Sequence, residues 1–112
     1  IDASAAAHTP DVIEMPYRPH IVGSGKPGEK KYDYRIAGLS CLAGDIFGDY
    51  SFDNELVRGS RLLFTDMSHY SMVKTTTFNG LALPDILYID SEERALLHEK
   101  RFGYSDFFSR LA

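Results

Sequence analysis

The chain has 112 residues, 44% of them hydrophobic and 25% charged, the composition of one globular domain with a modest core. Its net charge of -4 supplies no basic face for nucleic acid or an anionic membrane. No apolar run is long enough to span a bilayer, and a single cysteine excludes an internal disulfide framework and suits a reducing cytoplasm.

The chain opens on Ile1 without an initiator Met and shows no secretory signal, which reads as an excised interior segment or the second part of a longer chain. Pro10, Pro16 and Pro19 interrupt any long regular element in residues 1–20. His8, Asp11 and Glu14 follow a spacing of three that would cluster ligands on a helix, but the prolines break that helix, so no metal site is expected. The stretch GSGKPGEKK (23–31) is a glycine-rich loop with a solvated basic cluster.

Period-two patterning then begins. YDYRIAG (32–38) places Tyr32, Tyr34 and Ile36 on one face of a strand and Asp33 and Arg35 on the other. GLSCLAGDIFGDYSF (38–52) reads as a glycine-spaced loop carrying the lone thiol, Cys41, with Asp45 four residues on. A free cysteine is commonly a small buried hydrophobe, whereas a loop thiol near a carboxylate belongs with chemistry.

RLLFTDM (61–67) and HYSMVKTTTFNG (69–80) read as two more strands, the second ending in an Asn79-Gly80 turn. In that register Ser68 and His69 point to opposite faces and cannot share a proton, while Tyr70, Met72, Lys74, Thr76 and Phe78 share one. LALPDILYID (81–90) is a strand with an edge, kink or bulge at Pro84. Ser91 as cap, Glu92 and Glu93 in the first turn, and Lys100 and Arg101 in the last predict a helix ending at Gly103. A second short helix from Ser105 carries Phe107, Phe108 and Leu111. Strands followed by terminal helices, without alternation, predict a mainly β domain.

CLAGDIFGDYSFD (41–53), DMSHYSMVKTTTFNG (66–80) and HTPDVIEMPYRP (8–19) together resemble the carboxynorspermidine decarboxylases, members of the fold-type III pyridoxal-phosphate decarboxylases. The likeness continues in order to RFGYSDFFSRLA (101–112). It implies that residues 1–20 are the last segment of a β/α barrel with the crossover, and that residues 21–112 are the C-terminal β-barrel or sandwich domain with short terminal helices. The cofactor lysine and glycine-rich phosphate loop of the family belong upstream, so the chain by itself is expected to be inactive, and Lys74 does not match the cofactor lysine.

By the same resemblance, Cys41 is the catalytic thiol that reaches the partner subunit's cofactor in a homodimer and supplies a proton after CO2 leaves. Tyr70 binds the cofactor phosphate, Glu14 and Asp45 meet the basic groups of a carboxylated polyamine, and Phe78 stands near the ligand channel. The activity implied is decarboxylation of carboxynorspermidine or carboxyspermidine in polyamine biosynthesis, in the cytoplasm. Leu42 occupies the position of an acidic residue in ornithine and diaminopimelate decarboxylases, and Arg18 replaces another acid of the former. Both departures argue against those substrates. A different basic amino-acid decarboxylase and a non-catalytic β module are the alternatives.

Overall fold

The computed structural model describes residues 1–92, 94 and 96–111; the dipole role expected of Glu93 therefore falls outside the described residues. In chain order the elements are helices α1 (Ala5–His8) and α2 (Asp11–Glu14), strands β1 (Tyr32–Ala37) and β2 (Ile46–Phe52), helix α3 (Tyr70–Val73), a 3-10 turn (Phe78–Gly80), strands β3 (Ile86–Ile89) and β4 (Leu96–Lys100), and helix α4 (Tyr104–Phe108). β1 pairs with β2 and β3 with β4, each antiparallel, and the mainly β class stands.

β1 alternates as its period predicts: Tyr34 and Ile36 turn inward, while Arg35 faces out and forks onto Asp49 directly across the ladder at 2.7 and 2.9 Å. β2 was hidden in the sequence. A bulge lets Ile36 pair with Gly48 and Ala37 with Ile46, so Phe47 is the extra residue and the strict alternation breaks. Gly48 has φ +145°, and a Cβ there would meet Arg18 Cγ at 2.8 Å. The Arg18 stem crosses this gap, its guanidinium lies 4.7 Å from the centre of the Tyr50 ring, and it donates to the carbonyls of Gly25 and Asp49.

The core is Ala5, Val12, Ile21, Ile36, Phe47, Tyr50 and Phe52, flanked by Tyr34, Leu56, Leu62 and Phe64. Tyr50 is wholly buried and its hydroxyl donates to the Pro19 carbonyl at 2.7 Å, so the largest core side chain leaves no polar atom unmet.

Three expected elements differ. RLLFTDM forms no strand of its own; only Phe64 bridges, to Ile21. HYSMVKTTTFNG folds as α3 and the 3-10 turn, because His69 at φ +66° starts a helical turn that the carbonyls of His69 and Tyr70 close. Asn79 and Gly80 keep their turn, at φ +63° and +75°. In place of the helix expected from Ser91, Leu96–Lys100 form β4, paired with β3. Asp90 accepts from the Glu92 amide at 2.8 Å, an Asx turn, and β3 then supplies the ladder that overrides local helix preference. The short terminal helix is present as α4, but it begins at Tyr104, one residue before the expected Ser105, and ends at Phe108, short of Leu111.

The loop from 38 to 45 is closed by the Asp45 carboxylate, which is 3% exposed. One oxygen accepts from the amides of Ala5 (2.6 Å) and Ala6 (3.2 Å); the other accepts from the Ser4 hydroxyl (2.9 Å) and the Ser40 amide (3.0 Å). Ser4 in turn accepts from the Ala7 amide, so every free N–H at the start of α1 is satisfied. Burial alone would raise the Asp45 pKa, but the hydrogen bonds from Ser40, Ser4 and Ala6 outweigh it and hold the carboxyl below its ordinary value. The stabilisation is present above the unfolded carboxylate range and is lost as pH falls through the lowered folded value.

Asp45→Asn replaces an acceptor-only group by one with an N–H2 facing donors. It is expected to cost at least about 2 kcal/mol, since each charge-assisted bond contributes about 1.5–3 kcal/mol. Denaturant unfolding at neutral and acid pH checks this: the deficit should shrink on acidification, and equal deficits at both would remove the carboxylate's charge from the account. Gly38→Ala should also destabilise, because its Cβ would overlap that carboxylate.

Candidate active-site surface

Cys41 is exposed on the loop that Asp45 holds. Its amide donates to the Asn79 side-chain carbonyl at 2.7 Å, which brings the turn bearing Phe78 against the thiol loop. Phe78 is 46% exposed. The segment that carries Tyr70 and Phe78 is docked on α1: the Thr76 amide donates to Ala7 at 2.8 Å, and His8 is buried beneath. His8 Nδ1 accepts from the Ser4 amide at 3.1 Å, which leaves Nε2 to donate to the Ala82 carbonyl at 3.0 Å.

Tyr70 is 55% exposed, and among the described residues its hydroxyl makes no hydrogen bond. Lys74 Nζ lies 5.7 Å from the Tyr70 ring centre and is ion-paired to Glu14 on α2. The hydrogen bond that Lys74 donates to Glu14 raises the Lys74 pKa, with charge on Glu14 and Asp11 adding to it. Glu14, Lys74 and Tyr70 thus form one exposed group, and Cys41, Phe78 and Asn79 another, joined by residues 74–79.

Asp45 is placed differently from what the resemblance implies. It is enclosed, and its four acceptor directions are filled by the chain's own donors, so it holds the thiol loop and does not face a substrate cation. Ser68 and His69 also depart from expectation: off any strand, Ser68 Oγ lies 3.1 Å from His69 Nδ1. Among the described residues no cluster of His, Cys, Asp and Glu could hold a metal. The contact that sequence reasoning missed is Asn79 to Cys41, since the Asn-Gly pair was read for its backbone alone. A largely apolar cleft of about 490 Å³ between Phe47, Phe64, Met72, Ile86 and Phe102 includes neither Cys41 nor Tyr70.

No protein-family model matches the chain. It is 50% identical over 111 residues to the carboxyaminopropylagmatine decarboxylase of Synechocystis sp., covering 99% of this chain and 28% of that protein. To the carboxynorspermidine/carboxyspermidine decarboxylase of Campylobacter jejuni it is 36% identical over 121 residues, 98% of this chain and 31% of the relative. The crystal structure of carboxynorspermidine decarboxylase from Campylobacter jejuni, complexed with norspermidine, matches with a TM-score of 0.92 at 36% identity, over 97% of this chain and 32% of that one. The fold is therefore that of a β domain of the fold-type III decarboxylases. Within that class, the chain is homologous over nearly its full length to the carboxynorspermidine/carboxyspermidine decarboxylases, and it spans less than a third of the length of the relatives it matches.

Beside this surface, the Tyr17 hydroxyl donates to Asp11 at 2.6 Å. Burial, the bond to Asp11 and its negative charge raise the Tyr17 pKa to about 12. A phenol ordinarily near pH 10 thus contributes stability that is full below about pH 10 and is lost as pH rises toward about 12. Tyr17→Phe should flatten that alkaline decline in denaturant midpoints and remove a late step from the tyrosinate absorbance titration. An unchanged late step would assign it to another tyrosine.

Proposed function

We propose that the chain is the β-domain part of a pyridoxal-phosphate decarboxylase acting on a carboxylated polyamine. Residues 1–20 would end the cofactor barrel and its crossover, and residues 21–112 would form the β domain. The protein would work as a cytoplasmic homodimer with its site at the subunit interface. The substrate class is a cationic chain bearing one carboxylate: carboxynorspermidine, carboxyspermidine or, given the 50% identity to its decarboxylase, carboxyaminopropylagmatine. One observation carries this reading: Cys41 and Tyr70 are both exposed on segments tied together through Asn79 and α1, in a chain homologous to these decarboxylases from end to end.

The residues present fit the cofactor. Tyr70 offers an exposed hydroxyl, without a hydrogen bond among the described residues, that can donate to a phosphate oxygen, and Cys41 offers an exposed thiol. Lys74 is committed to Glu14 and is not the residue that would hold the aldehyde. When bound, pyridoxal phosphate supplies the electron sink for the charge left as CO2 departs. Cys41 would then act as the general acid, giving its proton to the substrate carbon across the interface. Glu14, exposed beside Lys74, can exchange that partner for a substrate ammonium, and Phe78 lines the approach. Asp45 acts through the loop, not through the substrate.

The test uses the full-length protein loaded with pyridoxal phosphate, with CO2 release followed on the three carboxylated substrates and on ornithine. Turnover is expected on the former class. An intact, cofactor-loaded protein inert on all three would sink the reading, and preference for ornithine would favour the basic amino-acid alternative. Cys41→Ala should lower kcat by about a hundredfold to ten-thousandfold with binding retained. Tyr70→Phe should weaken cofactor retention on dialysis by roughly tenfold or more, the worth of one charge-assisted bond of about 1.5–3 kcal/mol.

A further inference from the structure

Two consecutive amides, those of Ser40 and Cys41, are each captured by a side-chain oxygen. The Ser40 amide donates to buried Asp45 at 3.0 Å, and the Cys41 amide donates to Asn79 at 2.7 Å. The first bond is internal to the loop. The second crosses to the turn that carries Phe78, so it fixes where the thiol stands relative to the aromatic. Asn79 is held for this purpose in the left-handed region, at φ +63° and ψ +18°, a conformation that asparagine tolerates better than most residues. Its carbonyl is thereby presented to the thiol loop, while Gly80 at φ +75° completes the reversal.

We infer that Asn79 is a positioning residue for the Cys41 thiol, coupling the backbone of the thiol loop to the Phe78 turn. The inference rests on the reading of Cys41 as the proton donor. Without the Asn79 oxygen, the loop remains closed at Asp45 but loses its tether on the thiol's own peptide unit. Proton transfer depends on placement to a fraction of an ångström, whereas ground-state binding of a long cation does not. Loss of Asn79 should therefore appear in kcat and leave KM nearly intact.

Three substitutions in the full-length, cofactor-loaded protein separate this role from a general effect on folding. Asn79→Gly keeps access to the left-handed backbone and removes the oxygen; Asn79→Asp keeps an oxygen in place; Cys41→Ala reports what the thiol is worth. Hydrogen exchange in the peptide spanning 38–45 and steady-state kinetics are measured on each. The expected result is faster exchange at Cys41 in Asn79→Gly, a fall in kcat between about tenfold and about a hundredfold with KM within about twofold, and recovery of most of both in Asn79→Asp. Unchanged exchange in Asn79→Gly overturns the tether. Faster exchange with full kcat, while Cys41→Ala is slow, overturns the positioning role and leaves the proton-donor reading standing. Full turnover in Cys41→Ala overturns the proton-donor reading, and the catalytic role of Asn79 with it.

Discussion

The Asp45 carboxylate accepts four hydrogen bonds in a nearly closed pocket, and three separated pieces of chain meet there: the start of α1, the Ser40 amide and the edge of β2. An ionised group so enclosed is costly unless its donors are complete. Here they are complete, which is why the same contact can both cap a helix and close a loop. Gly38 gives it room, since any side chain at that position would occupy the space of the carboxylate. The exposed thiol stands on this buried charge, and its accessibility is a product of the order beneath it.

From that anchor the rest of the surface follows by short steps. α1 presents the Ala7 carbonyl to Thr76 and His8 to Ala82, and these bonds lay residues 70–82 across the domain. Tyr70 sits at one end of the segment, with Lys74 and Glu14 beside it, and Phe78 and Asn79 sit near the other, against Cys41. The candidate groups come from residues 14, 41, 70 and 78, far apart in sequence, and α1, a four-residue helix, serves as a shelf for two of their segments, binding Asp45 under the thiol loop and accepting from Thr76. Arg18 plays a comparable part on the far side of β2, where its stem fills the notch over Gly48 and its charge lies on the Tyr50 ring.

Strict alternation in YDYRIA made β1 legible from the sequence, and the Asn-Gly pair made the turn at 79–80 legible. β2 was obscured by one bulge residue, Phe47, and by Gly48, whose role depends on Arg18 approaching from thirty positions upstream. The segment leading into β4 carried helical charge signals, but strand pairing with β3 and the Asp90 turn decided it, and neither is visible in a local window. For the site, the residue types at Cys41 and Tyr70 could be matched through the family likeness. What no spacing rule conveys is that Asp45, a carboxylate near a thiol in sequence, points inward to Ser4 and Ala5 some forty residues away. A buried acid and a solvent-facing acid look alike as letters.

The double capture of the Ser40 and Cys41 amides has a consequence for how such a surface changes over time. Both tethers hold backbone, and neither uses a side chain of the loop's exposed residues Leu39, Leu42 and Ala43. Those three positions can therefore be exchanged without disturbing the course of the main chain, whereas Gly38, Ser4, Asp45 and Asn79 cannot. The loop behaves as a fixed mount with interchangeable fittings: a lineage can retune what the thiol's neighbours contact, by single substitutions, while the thiol itself stays where it is.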